Sequence, residues 1–182
     1  MMDMTSLEAA LSDLPLYEYF EFTTDELTFS DRIRWICEHE CPMYGKSWAC
    51  PPGVGTVGNC KVRCLGYKKG LCVSTIVEVA DISDIDETLA TRPDHEAVTE
   101  QVAELMKEHG AGETYILSTE ACAVCQRCAI LDGQPCRLPE RMHPCVESQG
   151  IVISELAEKH GIAFLYGGNI VTWFSLILYN EE

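Results

Sequence analysis

The sequence has few positive charges. Among 182 residues, 13 lysines and arginines stand against 29 aspartates and glutamates, and the formal net charge is −16. A surface of this kind repels nucleic acids and anionic membranes. We therefore expect no nucleic acid and no membrane as a broad-contact partner. A protein partner of basic character, or a small molecule, is easier to accommodate.

The sequence also lacks a long apolar run. The longest one, residues 170–179, is far shorter than the roughly 20 residues needed to span a bilayer. The N-terminus has neither the cationic start nor the apolar segment of a signal peptide. Without export, 11 cysteines are not expected to form a disulfide framework. They indicate metal binding in a soluble, cytoplasmic protein.

Fingerprints of well-known enzyme classes are missing as well. Residues 53–58 match the pattern G-x-G-x-x-G, but they follow Pro51 and Pro52 and not a strand, so dinucleotide binding is not assigned. There is no credible Walker loop or nucleophile elbow. Whether the protein is an enzyme stays open. For a cluster-dependent enzyme with substrate at an open iron site, the first polar groups to test are His39, His143, Arg137 and Arg141.

What the sequence does contain is cysteine at metal-ligand spacing. Cys122, Cys125 and Cys128 follow one another at two-residue gaps, and Cys136 comes after a predicted turn at Asp132 and Gly133. Ferredoxin-type iron–sulfur clusters are held by such a run plus a more distant cysteine. Zinc normally needs only paired Cys-x2-Cys elements. The spacing favours an iron–sulfur cluster, with zinc as the alternative.

A second metal-binding loop is predicted near the N-terminus. Its expected ligands are Cys37, Cys41, Cys50 and Cys60, with Cys64 as a substitute for Cys60. The protein would then hold two clusters, of the [4Fe–4S] type. Cys72 alternates within a predicted strand and is expected to be a small buried apolar residue.

Three other residues are candidates for contact with a cofactor. Tyr44 and Trp48 lie in the N-terminal loop, where they either shield a centre from water or pack the loop on the core. Arg137 follows the last ligand, Cys136, and either hydrogen-bonds cluster sulfur or a substrate carboxylate, or forms a structural ion pair.

Hydrophobic periodicity predicts alternating helices and strands. Helices are expected to begin at the capping box Thr5-x-x-Glu8, at Ser30, at Asn59 and after Thr91. The helix after Thr91 is expected to end at His109. Residues 81–87 are predicted to form an acidic surface loop. A further helix covers residues 151–160, and strands cover residues 17–22, 71–79 and 114–118. Residues 162–166 and 170–179 are predicted to form a β-hairpin around a Gly-Gly-Asn turn.

These elements predict an α+β protein, a ferredoxin-like α/β sandwich with both helices on one face of the sheet and an inserted cluster-binding loop. We expect a single metal-binding domain, residues 1–182. In it, a cysteine-rich N-terminal lobe of residues 1–70 packs on a sandwich formed by residues 71–182.

The motifs resemble those of a prokaryotic family described as predicted metal-binding proteins, domain of unknown function 2284. The resemblance extends from about residue 34 to residue 179 and is carried by Cys37-x3-Cys41-x2-Tyr44-Gly45-x2-Trp48-x-Cys50-Pro51-Pro52, Cys60-x3-Cys64, Cys122-x2-Cys125-x2-Cys128 and Pro135-Cys136-Arg137-x-Pro139-x2-Arg141. It implies metal binding without fixing a reaction. It also implies that Cys145 is not a ligand, because a serine or similar residue is expected there. The family's frequency in anaerobes suits oxygen-sensitive clusters and an electron-transfer or accessory redox role with a redox partner protein.

Overall fold

The computed structural model describes residues 2–181; Met1 and Glu182, the ends of the predicted single domain, lie outside the described residues. Within residues 2–181 there are six α-helices and four β-strands. The helices are α1 (Met4–Leu11), α2 (Asp31–His39), α3 (Val57–Leu65), α4 (Ile85–Ala90), α5 (Arg92–Glu108) and α6 (Ile153–Lys159). The strands are β1 (Glu18–Thr23), β2 (Lys69–Glu78), β3 (Ala111–Leu117) and β4 (Ile170–Glu181). The protein is therefore of the α+β class, as predicted.

The four strands form one antiparallel sheet in the order β1-β2-β4-β3. The long strand β4 pairs with β2 on one side and with β3 on the other, so Leu71 lies opposite Ile177 and Ile116 also lies opposite Ile177. Since β2 and β3 are each antiparallel to β4, they are parallel to each other. The crossover through α4 and α5 connects these two parallel strands around β4.

Helices and loops cover both faces of this sheet. Leu71, Val73 and Ile177 pack with α1 and α5 on one face. The intervening residues, among them Cys72 and Leu176, pack with α6 on the other face. Strand neighbours point to opposite faces, so a strand that is covered twice reads as a continuous apolar run, which describes β4. The prediction that both helices lie on one face is wrong, and a ferredoxin-like two-layer sandwich is not confirmed.

The predicted hairpin is also wrong. Residues 162–166 form no strand, because both edges of β4 are already occupied by β2 and β3. Ile162 and Phe164 are instead partly buried against the core on the α6 face. Alternating apolar residues in a short segment thus reflect packing of an irregular loop and not pairing.

Helix starts differ from the predictions by a few residues. The side chain of Asp3, not Thr5, caps α1, and Thr56, not Asn59, caps α3. Asn59 is the third residue of a capping box with Thr56. Ser30 caps α2 as predicted. Part of the predicted acidic loop is helix α4, which begins after Asp84.

The predicted boundary at residue 70 does not separate the sheet from a cysteine-rich lobe. Strand β1 belongs to the sheet, pairing with β2 from Glu18 opposite Ser74 to Thr23 opposite Lys69. Helix α1 packs against α5 in the core. Within residues 2–70, the segment from α2 to α3 lies outside the sheet and its α1–α5 layer. No described helix is both long and apolar enough to cross a membrane.

Candidate metal centre

The loop between β3 and α6 brings the four C-terminal candidate ligands to one cavity. This C-terminal cluster consists of Cys122, Cys125, Cys128 and Cys136, and all four line a cavity of about 20 Å³. A short 3-10 turn, Ala129–Asp132, and a left-handed Gly133 reverse the chain between the third and fourth cysteines. The local spacing thus brings four thiols to the lining of one cavity, and their role as metal ligands stays a prediction.

Charged side chains hold this loop in shape. The guanidinium of Arg127 donates to the carboxylate of Asp132 at 2.8 Å. Arg137 donates to the backbone carbonyl of Arg127 at 2.9 Å and lies 3.9 Å from Asp132. Arg137 also lines the cavity of the C-terminal cluster. The contacts of Arg137 with Arg127 and Asp132 support the interpretation that it forms a structural ion pair. Because Arg137 also lines the cavity, its contact with a bound cofactor stays a prediction.

The N-terminal candidate ligands gather at a second, larger cavity. Cys37 lies in the last turns of α2, and Cys41 and Cys50 lie in the loop that follows. These three thiols line a cavity of about 280 Å³. A fourth thiol in its lining is Cys145, which comes from the loop before α6. We call these four residues the N-terminal cluster.

Cys60, predicted as the fourth ligand there, does not line this cavity. It lies on α3 with its side chain fully buried, and its sulfur is 3.8 Å from a guanidinium nitrogen of Arg34 and 3.5 Å from the carbonyl oxygen of Val54. Its substitute, Cys64, is fully buried in the core on the α6 face of the sheet. The i, i+4 spacing of these two thiols therefore belongs to a helix face that packs inward.

Sequence reasoning set Cys145 aside, although it is near the other thiols in space. Ser118, directly after β3, forms a parallel bridge with Cys145, and this bridge carries Cys145 to the point where the chain enters the C-terminal loop. The contact joins segments that are far apart in sequence. Knowledge that residue 118 pairs with residue 145 would have placed Cys145 beside the other thiols. No local sequence pattern encodes that pairing.

The thiols differ in their readiness to ionise. Burial raises the pKa of Cys37 to about 11, and burial also raises the pKa of Cys122. Hydrogen bonding with the Cys145 thiol lowers the pKa of Cys50, whereas the same bond, together with burial, raises the pKa of Cys145. Cys50 therefore ionises more readily than Cys37 or Cys145. A metal must displace the protons of Cys37 and Cys145 to bind both thiols, so its binding there is pH-dependent.

The donor set fits soft metals, since thiolates select zinc, Cu(I) and iron–sulfur clusters. The geometry of residues 2–181 contains no group of three or more His, Cys, Asp or Glu side chains already drawn together into a coordination site. The C-terminal cavity of about 20 Å³ suits one water-sized body. The N-terminal cavity is more than ten times larger by the same measure, 280 against 20 Å³.

The two predicted aromatic shields lie at different places. Tyr44 lines the N-terminal cavity, and its role as a shield stays a prediction. Trp48 does not; its indole nitrogen donates to the carbonyl of Gln134 at 3.0 Å, which ties the N-terminal loop to the C-terminal loop. Of the polar groups singled out for catalysis, His39 stacks on Trp35 and bonds the Trp35 carbonyl at 2.9 Å. His143 lies 3.7 Å from Glu100.

The two cavities adjoin. Ala121 lines the cavity of the N-terminal cluster, and the next residue, Cys122, lines that of the C-terminal cluster. Consecutive Cα atoms are about 3.8 Å apart, so one peptide unit separates the two linings at this point. Glu120, just before them, has a positive φ of 53°, a conformation that non-glycine residues adopt rarely and mostly under constraint.

The sequence matches the family model described as predicted metal-binding protein, domain of unknown function 2284, over residues 21–179. No curated protein and no solved structure matches the sequence. The matched region includes all eleven cysteines and the whole of β2 and β3, and its two ends fall within β1 and β4. Because the match covers most of the sequence, the chain belongs to this family of predicted metal-binding proteins.

Proposed function

We propose that the protein is an iron–sulfur protein with two centres, of the [4Fe–4S] type, that transfers electrons as an accessory redox protein. Cys122, Cys125, Cys128 and Cys136 would hold one centre. The observation that carries the proposal is that the eight thiols of the two cysteine clusters line two adjoining cavities, four in each. When bound, a cluster would supply one-electron redox chemistry at a potential tuned by its surroundings.

For the second centre we propose Cys37, Cys41, Cys50 and Cys145. Cys145 replaces Cys60 in this assignment, because Cys145 lines the same cavity as Cys50, whereas the sulfur of Cys60 contacts Arg34. All eleven cysteines are free thiols, as ligands must be before a metal binds. Tyr44 would limit the access of water to this centre.

Direct adjacency of the linings at Ala121 and Cys122 supports electron exchange between the two centres. The partner would be a redox protein with a basic surface, since the net charge of −16 attracts such a surface and speeds its encounter. A reducing compartment, the cytoplasm, would keep the free thiols available as ligands.

The second candidate is a structural or regulatory zinc protein. The specific observation in its favour is the small volume of the C-terminal cavity, about 20 Å³, which suits one ion better than a four-iron cluster. Four thiols around one ion are also a common structural zinc site. A mixed protein, with zinc at one cluster and iron at the other, would follow if both cavity volumes persist on metal binding.

Redox titration under nitrogen separates the two candidates. Purified without oxygen, the protein is expected to be brown, to bleach on reduction with dithionite and to regain its colour with a mild oxidant. Zinc has no redox chemistry, so a zinc protein stays colourless throughout. A colourless, zinc-containing sample would reject the electron-transfer proposal.

A further inference from the structure

A cavity of about 560 Å³ lies beside the C-terminal cluster and is not explained by metal binding. Cys136 and Met142 line both this cavity and the small cavity of the C-terminal cluster. Residues of β3, including Tyr115, also line it. Small-molecule sites have volumes of roughly 300–1,000 Å³, and this cavity falls within that range.

Cationic groups are concentrated at this cavity in a protein that has few of them. Arg63 and Lys107 line it together with a single carboxylate, that of Glu140, whereas acidic residues outnumber basic ones by 29 to 13 in the whole sequence. Within residues 2–181, neither Arg63 nor Lys107 forms a salt bridge with a carboxylate. Two cations without an anionic partner therefore face the same space.

The guanidinium of Arg63 is only loosely engaged. It donates to the hydroxyl of Tyr115 at 3.4 Å, to the side-chain oxygen of Gln149 at 3.5 Å and to the carbonyl of Val54 at 3.4 Å. All three acceptors are neutral, and all three distances exceed the usual 2.7–3.2 Å range of such bonds. A carboxylate would form shorter, charge-assisted bonds with the same planar fork.

Apart from Thr114, Tyr115 and His143, the rest of the lining is mostly apolar. Trp48, Pro135, Pro139 and Met142 border the cavity, and the indole nitrogen of Trp48 is already satisfied by the carbonyl of Gln134. Such walls favour an organic body over a fully hydrated inorganic anion, because apolar surface is removed from water on binding. A few convergent polar groups in an apolar cavity are typical of ligand sites.

We propose that this cavity binds a small organic carboxylate, with the carboxylate at Arg63 and Lys107 and the apolar body against Trp48 and Met142. The site lies beyond the proposed electron-transfer function and does not depend on which metal the cysteines hold. Because Cys136 lines both cavities, a bound carboxylate would lie beside the metal centre. Such a position is suited to a substrate or to an effector of the centre.

Isothermal titration of the metal-containing protein, purified under nitrogen, tests the site. The probes are phenylacetate and hexanoate, with phenylacetamide as the uncharged match of phenylacetate and inorganic phosphate as an anion without an apolar body. At least one carboxylate is expected to bind about tenfold or more tightly than phenylacetamide and phosphate, because a charge-assisted hydrogen bond contributes roughly that factor.

Variants then locate the binding. Arg63→Gln and Lys107→Gln are each expected to weaken carboxylate binding about tenfold. Lys107 is exposed, so its substitution leaves the core intact if Arg63→Gln folds poorly. Arg32→Gln removes an exposed arginine on α2, outside the cavity lining, and should leave affinity unchanged. No binding of either carboxylate, equal affinity for phenylacetamide or phosphate, or an equal loss in Arg32→Gln would overturn the proposal. Metal content is measured on the same samples, so that a failure of the carboxylate proposal can be distinguished from a failure of the iron–sulfur proposal.

Discussion

Replacing Cys145 or Cys60 by alanine decides which thiol completes the N-terminal centre. Cys145 shares a cavity with Cys37, Cys41 and Cys50, and Cys60 does not. Cys145→Ala should therefore remove one of four ligands and, with it, the whole centre. If both centres are [4Fe–4S], iron should fall from about eight to about four atoms per chain, with an equal fall in sulfide.

Cys60→Ala should keep its iron. The substitution deletes a fully buried sulfur that contacts Arg34 and Val54, so we expect a cost of about 1 kcal/mol in the free energy of unfolding without loss of metal. Cys72→Ala is the matched control, because Cys72 is a buried thiol within β2, on the α6 face of the sheet and outside both cavity linings.

The assay is the ratio of iron and acid-labile sulfide to protein in samples purified in parallel under nitrogen. Denaturant unfolding of each variant separates loss of a ligand from loss of the fold. The reasoning is refuted if Cys60→Ala halves the iron while Cys145→Ala keeps all of it. A variant Cys145→Ser that also loses half of the iron would strengthen the assignment, since an alcohol replaces a thiolate poorly as a soft ligand.

Three further predictions concern the fold around the centres. Burial lowers the pKa of His95 to about 4, so between that value and about 6.5 the unfolded chain binds more protons than the folded protein. The free energy of unfolding should therefore fall by at most about 3 kcal/mol as the pH drops through this window. Denaturant unfolding at a series of pH values should show a flatter pH dependence for His95→Gln than for the unchanged protein. Trp48→Phe removes the hydrogen bond to the Gln134 carbonyl and should lower the free energy of unfolding by about 1 kcal/mol. An unchanged metal content would show that this hydrogen bond supports the fold and not the metal centre. Leu176→Ala truncates a fully buried side chain of β4 and should cost about 2–5 kcal/mol by denaturant unfolding, and a cost below 1 kcal/mol would contradict burial of β4 on the α6 face.

The C-terminal cluster was predictable from sequence because its geometry is local. Cys122 to Cys136 span one loop, and two-residue spacing with a turn at Gly133 is enough to direct four thiols to one cavity. Cys50 and Cys145, by contrast, lie in different loops and are 95 positions apart in the sequence. Their meeting depends on the pairing of Ser118 with Cys145, a tertiary contact that no spacing rule encodes.

The sheet shows the same division between local and distant information. Strand β2 was predicted because its alternation is visible within ten residues, and Cys72 is buried there as expected. The pattern of β4 is ambiguous in isolation, since a continuous apolar run fits either a hairpin partner or a strand covered on both faces. Only the pairing of β4 with both β2 and β3 resolves it, and the packing of α6 on the face opposite α5 covers the strand from the second side.

Determination of iron, acid-labile sulfide and zinc in protein purified and kept without oxygen tests the central claim most directly. The account predicts iron and sulfide in equal amounts, with about four of each per occupied cysteine cluster and little zinc. Stoichiometric zinc with neither iron nor sulfide would contradict it, and so would cysteines found joined in disulfides.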